Sequence, residues 1–310
     1  MSQMTASQAR VIDPILTNVA RGYTNGAMVG MLLFPAVPVG ARGGKIVKFG
    51  RENFRRYTTA RAPGTHVATV QYGYAGESYA LTDHGLAGLV PVELMEDATA
   101  VPGIDLAGGA VRMVQDVVAL NLEAEQAALA RNAASYAVSN KATLSGTTQW
   151  SHADSDPVKA VETAKEAVRA SVGMRPNTMV IGPKVLAALK THPVILDRIR
   201  YTGRDVPTLE LLASLFGLDR VASGDAVQED ASGALVDVWG GDAVLGYTTL
   251  GTLASQGTPS YGYTYRLRNY PVVERGYYDA DQRSWKYPTF DAVAPVLAGA
   301  DAGFLFKDAA

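Results

Sequence analysis

The chain has no cysteine, and among its 310 residues only four are histidine. The first absence excludes disulfides, thiolate nucleophiles and Cys-based zinc or iron–sulfur centres. The second leaves few imidazoles: His66, His84, His152 and His192, none paired at metal-binding spacing on a helix. Charge of one sign is also lacking, with a formal net charge of −2, so no bulk polyelectrolyte attraction is implied. N-glycosylation sequons are missing. No signal peptide is expected, because Arg10 and Asp13 precede no clean apolar core. The longest uncharged stretch near the start, residues 22–41, carries Tyr23, Asn25, Pro35 and Pro38, which argues against a membrane span.

Catalytic patterns are absent as well. Gly40 to Lys45 has one residue too few between its glycines for a phosphate loop, and Ile46 stands where Ser or Thr would hold magnesium. Ser151, His152 and Asp154 are neighbours in a polar loop and do not converge as a triad must. Glu123 and Glu125, two apart on a helix, do not share a face. Catalytic residues, cofactor-binding residues, metal ligands and cofactors are therefore expected to be none.

What is present begins with the stretch from Ile104 to Asn132. Val111, Val114, Val118, Leu122 and Leu129 recur at helical spacing, while Arg112, Asp116, Glu123 and Gln126 fall on other faces. Pro102-Gly103 ends what precedes, and Asp105 and Arg131 suit the two ends of a helix dipole. Such a helix spans roughly 40 Å, about twice the usual length.

Charge is unevenly placed. Residues 42–61 carry Arg42, Lys45, Lys48, Arg51, Arg55, Arg56 and Arg61 against Glu52 alone. Residues 89–126 carry Glu93, Glu96, Asp97, Asp105, Asp116, Glu123 and Glu125 against Arg112 alone. These blocks can complement each other within or between subunits.

Five segments follow in order. Residues 1–41, rich in Gly and Pro after a short turn, form an N-terminal arm lying along another surface. Residues 42–90 form an extended loop, a two-stranded ribbon turning at Arg61-Ala-Pro-Gly-Thr. Residues 91–144 hold a short helix and the long one, 104–132. Residues 145–255 alternate helix and strand, with Asp156 capping, Pro157 at the first turn, and Thr208 and Gly217 bounding a later helix. Residues 256–310 alternate as antiparallel strands, as in Tyr261-Gly-Tyr-Thr-Tyr-Arg-Leu, and need the long helix to cover them. The class expected is α+β, a helix-on-sheet domain with an inserted α/β module.

Certain segments carry a resemblance. Arg175-Pro-Asn-Thr-Met-Val-Ile-Gly-Pro-Lys-Val, His192-Pro, Arg200-Tyr-Thr, Leu211-Leu-Ala-Ser-Leu-Phe-Gly-Leu-Asp-Arg-Val and Trp239-Gly-Gly-Asp-Ala-Val-Leu are similar to segments of tailed-bacteriophage major capsid (coat) proteins with the Hong Kong 97-type fold. The resemblance covers nearly the whole chain. It implies an arm, an extended loop, a spine helix at 104–132 in a peripheral domain, an axial domain at 145–255, and strands at 256–310 that return to the peripheral domain. It implies self-assembly into an icosahedral or prolate head shell around double-stranded DNA, in hexamers and pentamers. A separate scaffolding protein, a portal, decoration proteins and non-specific contact with packaged DNA come with it, and no membrane. The place is the virion, after assembly in the bacterial host cytoplasm. Some members weld subunits through an extended-loop lysine; here no lysine lies between Lys48 and Lys141, so no isopeptide crosslink is expected. Some carry a long N-terminal scaffolding segment; about forty residues precede the first strand here. The inter-subunit contacts expected are Arg51, Arg55, Arg56 and Arg61 over Glu93, Glu96 and Asp97.

Other readings stay open on residues alone: an encapsulin-like nanocompartment shell, a nucleic-acid-binding protein acting through residues 42–61, or an enzyme with an unrecognised site.

Overall fold

Asp105 starts the long helix. Its carboxylate accepts a hydrogen bond from the Gly108 amide at 2.8 Å, and the helix then runs from Leu106 to Ala130. In this computed structural model the described residues are 12–45, 60, 67, 78–99, 105–200, 207–249 and 260–310.

In chain order, the first elements are α1 (Pro14–Arg21), β1 (Ala36–Val39), β2 (Gly43–Lys45), β3 (Ser78–Ala80), β4 (Thr82–Pro91), α2 (Val92–Thr99) and the long α3 (Leu106–Ala130). Then come β5 (Lys141–Thr143), α4 (Pro157–Val172), β6 (Thr178–Ile181), α5 (Pro183–Thr191), α6 (Pro193–Ile199), α7 (Leu209–Phe216) and β7 (Arg220–Ser223). The last strands are β8 (Val227–Glu229), β9 (Leu235–Asp237), β10 (Ala243–Gly246), β11 (Tyr263–Leu267), β12 (Val272–Val273), β13 (Tyr277–Asp279), β14 (Ser284–Val296) and β15 (Gly303–Lys307). The class is α+β.

A six-stranded sheet is built on the thirteen-residue β14, which pairs with β4, β11, β12 and β13, while β1 joins in parallel to β11. The long helix packs on β4 and β14. Val111 meets Leu16, Ala20, Val90, Val273 and Tyr287 there in one buried cluster. Each such aliphatic side chain contributes roughly 1.5–3 kcal/mol by leaving water.

The second sheet runs β5-β15-β10-β6-β7. Met179, Ile181, Leu245, Phe304 and Phe306 point to the helical side and pack with Val161, Val168, Leu189, Ile195, Leu212 and Phe216. Val180, Val244 and Leu305 point the other way, to Ala127 and Ala130 of the long helix, Phe34, Trp239 and Tyr261. The module's helices end as their sequence dictates. Asp156 accepts from the Lys159 amide at 3.0 Å, and Gly173 and Gly217 close α4 and α7 with φ of +71° and +60°.

The assignment of strands needs three corrections. Residues 256–310 do not all return to the sheet under the long helix, because β15 lies inside the second sheet between β5 and β10. Phe304, Leu305 and Phe306 are apolar on both faces, and the second sheet is covered on both. Lys141–Thr143, placed before the α/β module, is that sheet's edge strand; its polar composition hides a pairing made at long range. Thr82–Pro91, counted with the extended loop, is a ten-residue strand of the first sheet. Gly88 permits a close approach there: a Cβ would meet the Ala110 Cβ of the long helix at 2.9 Å. The ribbon residues 46–59, 61–66 and 68–77 lie outside the described residues. What is described of that ribbon is its base, β2 paired with β3, pinned by Arg42 against Asp83 at 2.9 Å.

Candidate assembly surfaces and the seam between modules

The acidic residues expected to meet a neighbour sit on α2, directly after β4. Glu93, Glu96 and Asp97 are all exposed, beside Leu94 at 53% exposure, while Met95 turns inward to the cluster around Val111. Glu93 faces Arg283 at 3.5 Å across the end of the sheet. Arg51, Arg55, Arg56 and Arg61 lie outside the described residues.

The long helix presents less acid than its sequence suggests. Glu123 is not on a solvent face but is 1% exposed. Its carboxylate accepts from the Trp239 indole at 2.6 Å, the Val29 amide at 3.0 Å and the Gly30 amide at 2.9 Å. Burial, the largest influence, pushes its carboxyl above the usual glutamate range, and the three N–H donors oppose that. Asp116, two turns earlier, is held by the Tyr23 hydroxyl and by Asn25 at 3.0 Å. Gln126, one turn later, donates to Thr264 at 2.8 Å, which donates to the Phe34 carbonyl at 2.9 Å.

Arg131 caps the helix and continues the row. It contacts Asp242 at 2.6 Å and donates to the Val238 carbonyl at 2.6 Å. Gly240 lets the guanidinium in, since a Cβ there would meet Nη2 at 2.8 Å and the local φ is +56°. Asp242 is 1% exposed, and burial alone would raise its carboxyl. Lys307 at 2.8 Å, the Asp308 amide and Arg131 together outweigh that and hold it below the usual aspartate range. One stripe of the helix thus ties residues 23–34, the six-stranded sheet and the α/β module into one unit.

Sequence reasoning treated Asp116, Glu123 and Gln126 as polar faces and noticed Trp239-Gly-Gly-Asp242 only as a motif. The available signal was an acid in line, at helical spacing, with Ala127 and Ala130, a stripe that lets another element approach closely. The N-terminal arm is likewise found on its own subunit over residues 12–39: Asp13 caps α1, the Thr17 side chain bonds Val273, and β1 lies beside β11.

Chemistry is sparse elsewhere. A cavity of about 290 Å³ between α1, the long helix and β14 is lined by Gln115, Glu123, Gln126, Arg266 and Asp291. Asp291 is buried, which raises its carboxyl, and it pairs with Arg266 at 3.1 Å. His152 and Asp154 stand 3.7 Å apart on the surface. The histidine that contacts a serine is His192, 3.0 Å from Ser155, and it caps α6 by accepting from Val194. Its other partner is the His152 carbonyl at 3.1 Å, and among the described residues no carboxylate contacts it, as a triad would need. Among the described residues no cluster of three or more His, Asp or Glu could hold a metal, and no helix is long and apolar enough to cross a membrane.

Comparison with known proteins agrees with this sparse chemistry. Residues 112–260 match the family model of phage major capsid protein E. The chain is similar to the major capsid protein of Burkholderia phage BcepMu, 39% identical over 305 residues and covering 97% of both chains. Its fold matches the crystal structure of a phage-related protein from Bordetella bronchiseptica at TM-score 0.83 and 43% identity, over 97% of this chain and 98% of that one. A looser likeness, TM-score 0.53 at 14% identity over 99% of this chain and 92% of that one, links the fold to an encapsulin of Synechococcus elongatus. With nearly full-length correspondence at this identity, the chain belongs to the phage major capsid proteins.

Proposed function

We propose that the chain builds a head shell, icosahedral or prolate, around double-stranded DNA, in the Hong Kong 97-type arrangement. In this reading the six-stranded sheet with its spine helix is the peripheral domain and the α/β module is the axial domain. Residues 46–77 are the extended loop. The observation that carries it is the BcepMu relation, which spans 97% of both chains and so includes arm, spine and module alike. The interlocked row from Asp116 to Asp242 supports it: a subunit that transmits load between neighbours needs its two modules fixed to each other. Catalysis has no part in the proposal, since the relatives are structural proteins. Scaffolding, portal and decoration partners, and assembly in the host cytoplasm, belong to the same reading.

Within the shell, Arg51, Arg55, Arg56 and Arg61 of one subunit lie over Glu93, Glu96 and Asp97 of the next. Electron microscopy of purified protein, expressed with and without a cognate scaffolding protein, tests the function. Closed, regular shells are expected, and only monomers under both conditions would refute it. A shell found with an enzyme cargo and no DNA in the native particle would favour the encapsulin reading suggested by the looser fold likeness.

A further inference from the structure

The α/β module carries two surfaces that nothing among the described residues covers. The first is the hairpin β8–β9, which forms a sheet of its own. Its register pairs Val227 with Asp237 and Glu229 with Leu235, so these four side chains share one face. Leu235 is 74% exposed and Val227 44%, and Glu229 is exposed beside them. Two-stranded hairpins are marginal in water. This one is anchored at its base, where Ala226 and Val238 are buried and joined by a 3.0 Å backbone bond, and its apolar face is left uncovered.

The second surface is the corner of α5 and α6. Lys184, Lys190, Arg198 and Arg200 are exposed there around Leu196, with Asp197 as the local acid. Among the described residues these four cations have no ion-pair partner, and neither do Glu229 and Asp237. Residues 183–200 are net basic and residues 225–237 net acidic. The hairpin face sets Val227 and Leu235 diagonally among the acids Asp237 and Glu229, and the corner sets Leu196 among four cations, so each pairs apolar area with charge, of opposite signs.

We propose that the β8–β9 hairpin of one subunit docks on the α5–α6 corner of a second copy of this chain. Two different surfaces meet, so the contact is head-to-tail, the kind that closes a ring when the rotation fits. Leu235 and Val227 cover Leu196, and Glu229 and Asp237 meet Lys190 and Arg198. The identification of the partner rests on the shell reading, which supplies many copies; the complementarity of charge, with apolar side chains on both faces, is independent of it.

The test uses full-length chains: the wild type, Glu229→Lys/Asp237→Lys, Lys190→Glu/Arg198→Glu, and the quadruple variant that combines both pairs. Thermal unfolding should be little changed, because Glu229, Lys190 and Arg198 are exposed and Asp237 is only partly buried. Each double variant should lose at least tenfold in concentration-dependent self-association by sedimentation velocity, and the quadruple variant should regain most of it. Leu235→Ser should weaken association at all salt concentrations. If folded double variants associate as the wild type does, or the quadruple variant is no better than the doubles, the inference fails. Shell imaging separates the two claims. Hairpin-dependent association without closed shells would sink the shell reading alone, and normal shells from the double variants would sink this docking alone.

Discussion

The indole N–H of Trp239 donates to the carboxylate of Glu123 at 2.6 Å, across 116 residues of sequence. Trp239 belongs to the α/β module and Glu123 to the helix, so one hydrogen bond joins the two. The same carboxylate accepts from the amides of Val29 and Gly30, and among the described residues no cation contacts it.

Removing that carboxylate should loosen three segments together. Glu123→Ala leaves buried N–H donors without acceptors, at about 1–3 kcal/mol each. A loss of at least about 3 kcal/mol is expected in urea unfolding at neutral pH. A loss under 1 kcal/mol would show that water replaces the carboxylate without penalty.

The same group sets a pH dependence. Its folded pKa is raised, so its contribution is full below the ordinary value of 4.5 and declines as pH rises through the folded value. The stability of the wild type minus that of Glu123→Gln should therefore fall between pH 4.5 and pH 8. A difference that rises with pH over that window would contradict the assignment.

Gly88 makes the tightest fit between β4 and the long helix. Gly88→Val forces Ala110 and its backbone outward and should cost about 1–3 kcal/mol, with a matching fall in Tm. An unchanged Tm would mean that the helix rides loosely on the sheet.

Charge reversal of Arg55 and Arg56 should impair shell formation and leave the monomer folded. Individual exposed pairs contribute only about 0–1 kcal/mol, but a shell repeats them. Normal shell yield from Arg55→Glu/Arg56→Glu, at both low and moderate salt, would remove these residues from the interface.

Purified shells boiled in detergent should run as one band near 32.8 kDa. With no lysine between Lys48 and Lys141, the extended loop beyond Lys48 supplies no amine for an isopeptide bond. A ladder of higher species that survives denaturation would overturn this.

Much of the fold could be read locally. Asp105, Asp156 and Thr208 announce their helices because capping is a short-range bond, and Gly217 ends α7 for the same reason. Less legible was whatever depends on a distant partner. Lys141–Thr143 has no strand pattern of its own and becomes a strand only beside Leu305 and Lys307. Thr82–Pro91 hides its pairing behind Gly85 and Gly88, whose missing side chains matter only once Phe290 and Ala110 arrive. Glu123 misleads most: an acid in a helix reads as solvent-facing, and its three donors come from segments far away in sequence. The acidic face of α2 was visible as composition; its exposure required the structure.

The position of β15 has a consequence for timing. Residues 303–307 lie between β5 and β10, inside a sheet whose other strands begin at Lys141. A chain still emerging from the ribosome lacks that inner strand, so β5 has nothing to pair with and Leu245 and Val244 have an open edge beside them. Pairing of such long sequence separation is slow to form and comes late. A subunit truncated before Gly303 therefore leaves β5 without its partner strand and β10 open along one edge.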